Sequence, residues 1–168
     1  MLTLARGSKT EFVIIRPPLV YGPCAPGNFG RLVRFVQSGW PMPLGAIHNM
    51  RSLVGIDNLV SLVLLCVDRA QSRPAANEVF GVADSEDVST TTLLRKIALA
   101  TGSPNRLLPI PATLLRATAS MLGKEALALT LLGDLQVDAS KAKKLLGWSP
   151  LLNLDQQLAL SFNYSANF

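Results

Sequence analysis

Few side chains in this sequence are arranged to make or break bonds. His48 is the only histidine, and no serine sits in a G-x-S-x-G turn, so a Ser-His-Asp hydrolase has no frame. The carboxylates Asp84, Glu86 and Asp87 crowd a strand end without histidines and off the spacing of a calcium loop. They read as turn or cap residues, and the sequence predicts no metal site. The two cysteines, Cys24 and Cys66, lie far apart without metal-ligand partners, in keeping with reduced thiols in a cytoplasmic protein. Anion binding is better represented. Gly27 and Asn28 precede a helix whose free N–H groups suit a phosphate, and Arg51 stands alone in the apolar segment "MRSLVGID". The structural alternatives for Arg51 are an ion pair with Asp57 or a solvated loop.

The elements that must position these residues mix short strands with helices. In "FVIIRPPLVYGPCAPGNFG", Phe12 to Ile15 form a β-branched apolar run of the kind found in parallel sheets covered on both faces. Pro17 and Pro18 cannot donate to a ladder, so pairing should stop near Arg16 and extended chain resume at Leu19 and Val20. The loop at Gly22, Pro23, Pro26 and Gly27 then falls beyond the strand's carboxyl end, where open α/β sheets bind ligands. A helix is predicted over 29–38 with Asn28 as its N-cap and Gly39 as its stop. "SLVGI" reads as a strand, and Asp57 as the cap of a helix over 57–70. Apolar residues wrap nearly round that helix, which predicts packing on more than one side. "EVFGVAD" reads as a strand. Further helices are predicted from Ser89 or Thr90 to Gly102, from Pro111 to Gly123, over "ASKAKKLLGW" with Gly147 as its end, and over 154–166, with "LQVD" a short extended piece.

Length and composition bound the rest. The 168 residues suffice for one domain, and 49% hydrophobic against 16% charged residues is apolar beside a typical charged fraction of about 25%. That balance predicts apolar surface that meets a neighbour outside this sequence. The net charge of +5 favours anionic partners. The one basic cluster, Lys141, Lys143 and Lys144, has no interleaved aromatic residues, so it reads as a solvated helix face and not as a nucleic-acid platform. No apolar run reaches the roughly 18 residues of a membrane span, and Met1 to Thr10 lacks the apolar core of a secretory signal.

Four landmarks in order, "IIRPPLVYGP", "RSLVGIDNLVSLVLLC", "EVFGVADSEDVSTTTLLRKIALATG" and "LQVDASKAKKLLGWSP", resemble the extended short-chain dehydrogenase/reductases, and within them the NAD-dependent epimerase/dehydratase family. The resemblance covers nearly the whole chain. It implies an α/β fold: the carboxyl-terminal part of a Rossmann-like doubly wound sheet interleaved with a small, mainly helical substrate-binding region, as one partial domain over 1–168. The Gly-rich cofactor turn and the catalytic tyrosine and lysine of that family are absent, which implies no catalytic residue in this chain and an amino-terminal half lying elsewhere.

The resemblance also implies roles. Pro17, Pro18, Leu19 and Val20 would lie against the nicotinamide of NAD or NADP, which the absent half mainly binds. Asn28, Phe29, Leu44 and Arg51 would contact a UDP-sugar, with Arg51 on its diphosphate and "PLG" at 43–45 along the uracil. Leu19 stands where many UDP-sugar epimerases carry an asparagine, and Lys124 is the nearest substitute for a second phosphate-binding arginine. The implied activity is that of a UDP-hexose 4-epimerase, with a 4-ketoreductase of UDP-linked deoxyamino sugars as the alternative. The resemblance further implies a place in surface-polysaccharide synthesis and, for the complete protein, room for a homodimer. A non-catalytic binding module or a degenerate fragment is the alternative of another class.

Overall fold

The computed structural model describes residues 11–68 and 75–165. The leader reading of Met1 to Thr10 and the ends of the predicted 57–70 and 154–166 helices, Arg69–Ala70 and Ala166, lie outside the described residues.

The chain changes sheets at its paired prolines. Strand β1, Val13–Arg16, pairs in parallel with β4, Glu78–Gly81. After Pro17 and Pro18 the chain resumes as β2, Leu19–Tyr21, which pairs in parallel with β3, Leu53–Gly55. Two prolines without N–H donors thus separate one extended run into strands of two different sheets. Parallel pairing requires crossovers, and these supply the first two helices of the described residues; the other five follow β4. The described residues hold α1 at Gly27–Gln37, α2 at Ile56–Val67, α3 at Thr90–Ala100, α4 at Ala112–Met121, α5 at Glu125–Leu132, α6 at Ser140–Leu146 and α7 at Leu154–Ser165.

Two apolar clusters hold these elements. In one, Tyr21 and Leu53 of the β2–β3 sheet meet Phe29 and Val36 of α1, Leu93, Leu94 and Ile97 of α3, and Leu158 of α7. In the other, Val13, Ile15 and Phe80 of the β1–β4 sheet meet Leu62 of α2, Ala142 of α6 and Trp148. Burying each such aliphatic or aromatic side chain contributes roughly 1.5–3 kcal/mol.

Several local expectations are corrected. Helix α1 begins two residues earlier than predicted, with Pro26 as N-cap, so Asn28 lies in its first turn. Gly55 is the N-cap of α2, and Asp57 lies inside the first turn, where its carboxylate accepts a 2.6 Å hydrogen bond from Gln157 Nε2. "LQVD" forms no strand; Leu135 alone makes a bridge to Arg51. Helix α5 has no counterpart among the predicted elements, because "EALALTLL" is apolar on all sides and carries no 3.6-residue signature. Ser89 does cap α3, its Oγ accepting from Thr92 N, and Gly147 closes α6 in the left-handed conformation at φ 65°. Helix α2 is covered on its core face and on the flank held to Trp148, Leu151 and Leu152, but not all round: Ile56, Val60, Val63, Leu64 and Val67 are exposed among the described residues.

Candidate functional site

Arg51 enters the site from the loop ahead of β3. Its main chain pairs with Val88 in both directions, Arg51 N to Val88 O at 3.1 Å and Val88 N to Arg51 O at 3.0 Å. The guanidinium reaches the other way. Nη1 donates to the carbonyls of Thr130 and, at 3.3 Å, Gly133, the orphan acceptors at the carboxyl end of α5. Arg51 therefore caps a helix and makes no ion pair with Asp57. Burial lowers its pKa from the ordinary value, and the nearby Asp134 carboxylate opposes that shift. Both side-chain hydrogen bonds use Nη1, which leaves Nη2 and Nε for an acceptor in the adjoining cavity.

That cavity has a volume of about 500 Å³. Helix α1 lines it through Asn28, Arg31, Leu32 and Phe35, the 42–44 segment through Met42, Pro43 and Leu44, and the α4–α5 hairpin from Leu115 to Leu132. Leu19, Arg51 and, from α3, Thr90 and Leu93 complete the wall. Its charged lining residues are three cations, Arg31, Arg51 and Lys124, without a carboxylate. Such a space takes a body with flat or apolar faces and an anionic group.

The walls are fixed by a few buried polar contacts. Thr91 Oγ1 donates to Leu44 O at 2.6 Å and accepts from Ile47 N at 2.9 Å, which ties the 44–47 segment to α3. Asn49 is buried; its Oδ1 accepts from Thr90 N, and its Nδ2 donates to Leu131 O and Gly133 O. One amide thus joins the start of α3 to the end of α5. Gly45 lies where an added Cβ would stand 2.8 Å from Leu108 C, so only glycine permits this approach.

Of the predicted site residues, Leu19, Asn28, Leu44 and Arg51 come together on this cavity. Phe29 is turned into the core, its ring 5.6 Å from that of Tyr21. Pro17, Pro18 and Val20 lie outside the lining, the prolines at the step between the two sheets and Val20 within β2, paired with Val54. His48 is exposed in its loop. Arg31, Thr118 and Thr130 line the cavity without having been singled out in the sequence, and Thr90, read there only as a helix start, lines it too. Arg31 was discoverable as a cation one turn beyond the Gly27–Asn28 helix start, but the hairpin residues carried no signal.

Beside the cavity, Asp84 gathers three elements. It accepts from Tyr21 Oη at 2.7 Å, from Asn58 Nδ2 at 2.7 Å and from the Gly55 amide at 3.1 Å. Burial, then the Asp84 charge, raises the Tyr21 pKa well above its ordinary value, so the phenol stays protonated. The neighbouring Asp87 accepts from Ser52 Oγ at 2.6 Å and Gln136 Nε2 at 2.7 Å. These carboxylates tie loops together, and no group of histidines, cysteines and carboxylates among the described residues could hold a metal.

The parallel strand pairs, their helical crossovers and the cavity beyond the strand ends are those of a Rossmann-like α/β fold, and the chain belongs to the epimerase/dehydratase family of the short-chain dehydrogenases/reductases. It is 43% identical over 157 residues to a UDP-glucose 4-epimerase of Vibrio cholerae, covering 93% of this chain and 47% of that protein. The crystal structure of a UDP-glucose 4-epimerase of Thermotoga maritima with UDP-glucose superimposes with a TM-score of 0.71 at 21% identity, covering 98% of this chain and 49% of that one. A dTDP-glucose 4,6-dehydratase of Bacillus anthracis in complex with NAD matches with a TM-score of 0.69 at 15% identity, over 99% of this chain and 48% of that one. No family model matches the chain. The chain spans about half the length of the relatives it matches.

Proposed function

We propose that this chain is the carboxyl-terminal, substrate-binding portion of an NAD(P)-dependent nucleotide-sugar epimerase of the UDP-hexose 4-epimerase type. The observation that carries the reading is the convergence of Leu19, Asn28, Leu44 and Arg51 on one cation-lined cavity of about 500 Å³. The 43% identity to a UDP-glucose 4-epimerase supports it. Arg51 would hold the diphosphate through its remaining N–H groups while its Nη1 keeps the end of α5 in place, a division suited to the planar guanidinium. Leu44, on a segment fixed by Thr91, would lie along the uracil, and Asn28 would supply a polar contact from the first turn of α1.

The residues at the sheet step fit a wall of a nicotinamide site. Pro17 and Pro18 belong to neither ladder, so the backbone there is free to lie against a flat ring. NAD(P), when bound, supplies the hydride acceptor and donor. The chain's own part is to bind and orient the sugar nucleotide, and it contributes no proton-transferring residue. Leu19 on the cavity wall supports a second reading, a 4-ketoreductase of UDP-linked keto sugars, because an apolar side chain there leaves one sugar hydroxyl without a partner.

Calorimetric titration of the chain with UDP and UDP-glucose tests the proposal. Saturable binding of both is expected, weakened on the order of 10-fold or more in Arg51→Ala, since a charged hydrogen bond is worth about 1.5–3 kcal/mol. Absence of UDP binding, or equal affinities before and after the substitution, would overturn it.

A further inference from the structure

The mouth of the cavity combines charges of one sign with apolar side chains left in solvent. Apart from Leu19, the lining comes from the segments 22–56 and 88–133. Those two segments carry eight arginines and lysines and one carboxylate, Glu125, whereas the rest of the chain carries eight basic residues and ten carboxylates. The single carboxylate is engaged, its Oε1 accepting a 2.7 Å hydrogen bond from Ser120 Oγ. On one lip, Arg31 and Phe35 stand one turn apart on α1, exposed although both line the cavity, with the exposed Arg34 beside them. The opposite lip is the tip of the α4–α5 hairpin. There Leu122 and Lys124 line the cavity, Leu122 is 70% exposed, and the neighbouring Met121 is 88% exposed. Helix α4 buries no residue: Leu115, Ala119 and Leu122 turn to the cavity, while Leu114 and Met121, two turns apart, form an outer apolar stripe.

Cations alone select no partner, but cations among solvated apolar tips narrow the choice. A nucleic acid would answer the charge, yet leucine and methionine offer its bases no face to stack on. A helix or strand of a folded partner needs a continuous groove or edge, and here the apolar side chains stand on two lips with the opening between them. An anionic bilayer suits both features. Basic residues are drawn to its negative surface, and separate Phe, Met and Leu side chains enter the boundary of headgroups and acyl chains without a complementary surface. No described helix is long and apolar enough to cross a membrane, so the contact is with the interface. We infer that the mouth of the cavity, formed by Arg31, Arg34 and Phe35 on α1 and by Met121, Leu122 and Lys124 at the hairpin tip, docks on a membrane surface rich in anionic phospholipid. None of these six is among Leu19, Asn28, Leu44 and Arg51, so the docking role does not depend on the proposed substrate.

Vesicle flotation tests it. The chain is mixed with vesicles of phosphatidylcholine alone, or of phosphatidylcholine and phosphatidylglycerol in equal parts, and the floated fraction is measured at low and high salt. Flotation is expected with the anionic vesicles and should weaken as salt rises. Met121→Ser combined with Leu122→Ser, which leaves the charge unchanged, should lower the partition coefficient about 10-fold or more. Arg34→Gln combined with Lys124→Gln should do the same, at about 5-fold per cation. Lys143→Gln combined with Lys144→Gln removes equal charge from the exposed side of α6 and should change partition less than about 2-fold. Circular dichroism checks each variant, and if one pair unfolds the chain the other decides. Absence of flotation, equal flotation with both vesicle types, or an equal loss in the α6 pair would overturn the inference. So would a homodimer, seen by light scattering, that the Met121 and Leu122 pair dissociates, since a second copy would then be the occupant. UDP binding without flotation would remove the docking surface alone, whereas flotation without UDP binding would remove the substrate reading and leave the docking surface standing.

Discussion

Tyr21 and Asp84, 63 positions apart, are joined by a 2.7 Å hydrogen bond in which the phenol donates to a carboxylate already serving β3 and α2. The bond fixes the end of β2 to the turn after β4 and so links the two small sheets. Tyr21→Phe is expected to cost about 1.5–3 kcal/mol in urea unfolding, the usual worth of a hydrogen bond to a charged group.

The same pair gives the protein a pH dependence. Burial and Asp84 hold the Tyr21 proton in the folded state, whereas an unfolded tyrosine releases it near pH ~10. Above that pH the folded chain binds more protons than the unfolded one, so the contribution is intact below about pH 10 and is lost as pH rises further. The urea midpoint of Tyr21→Phe should fall less than that of the parent between about pH 8 and about pH 11. Parallel curves would exclude the linkage.

Asn49 is 7% exposed and satisfies three backbone groups from α3 and the end of α5. Asn49→Ala leaves Thr90 N without its acceptor and takes one of two donors from each of the Leu131 and Gly133 carbonyls, and should destabilise by about 1–3 kcal/mol. Hydrogen exchange at α5 should rise more than at α2, because only α5 loses its seat.

Two residues that look alike as caps should behave differently. Ser89 Oγ accepts from Thr92 N at 3.0 Å, and Ser89→Ala should cost about 1 kcal/mol. Asn28 lies inside α1 and caps nothing, so Asn28→Ala should change stability by less than about 0.5 kcal/mol while lowering UDP affinity. Equal thermal shifts for the two variants would contradict the observed start of α1.

Gly45→Ala would drive a Cβ to 2.8–3.0 Å of the Leu107 and Leu108 main chain, where backbone cannot give way as a side chain tip can. A loss of about 1–3 kcal/mol is expected. Thermal unfolding followed by circular dichroism reads it directly, and weaker UDP binding should accompany it as the 42–44 wall moves.

The sequence by itself determined the strands β1 to β4, the break at Pro17 and Pro18, the Ser89 cap and the Gly147 stop. Each depends on properties a residue carries into any context: a missing N–H, a β-branched run, a hydroxyl of the right reach, tolerance of positive φ. It also showed that α2 is apolar nearly all round, but not that the side carrying Ile56, Val60, Val63, Leu64 and Val67 is exposed among the described residues. Other features exist only through tertiary contact. The assignment of β1 and β2 to different sheets depends on which partner strand each one meets. Helix α5 lacks an amphipathic pattern and is set by the Asn49, Thr90 and Arg51 donors that hold its last carbonyls. Arg51's place between a helix end and a cavity was decided by residues 79 and 82 positions away, because a guanidinium with five donors takes whichever acceptors the fold brings within reach.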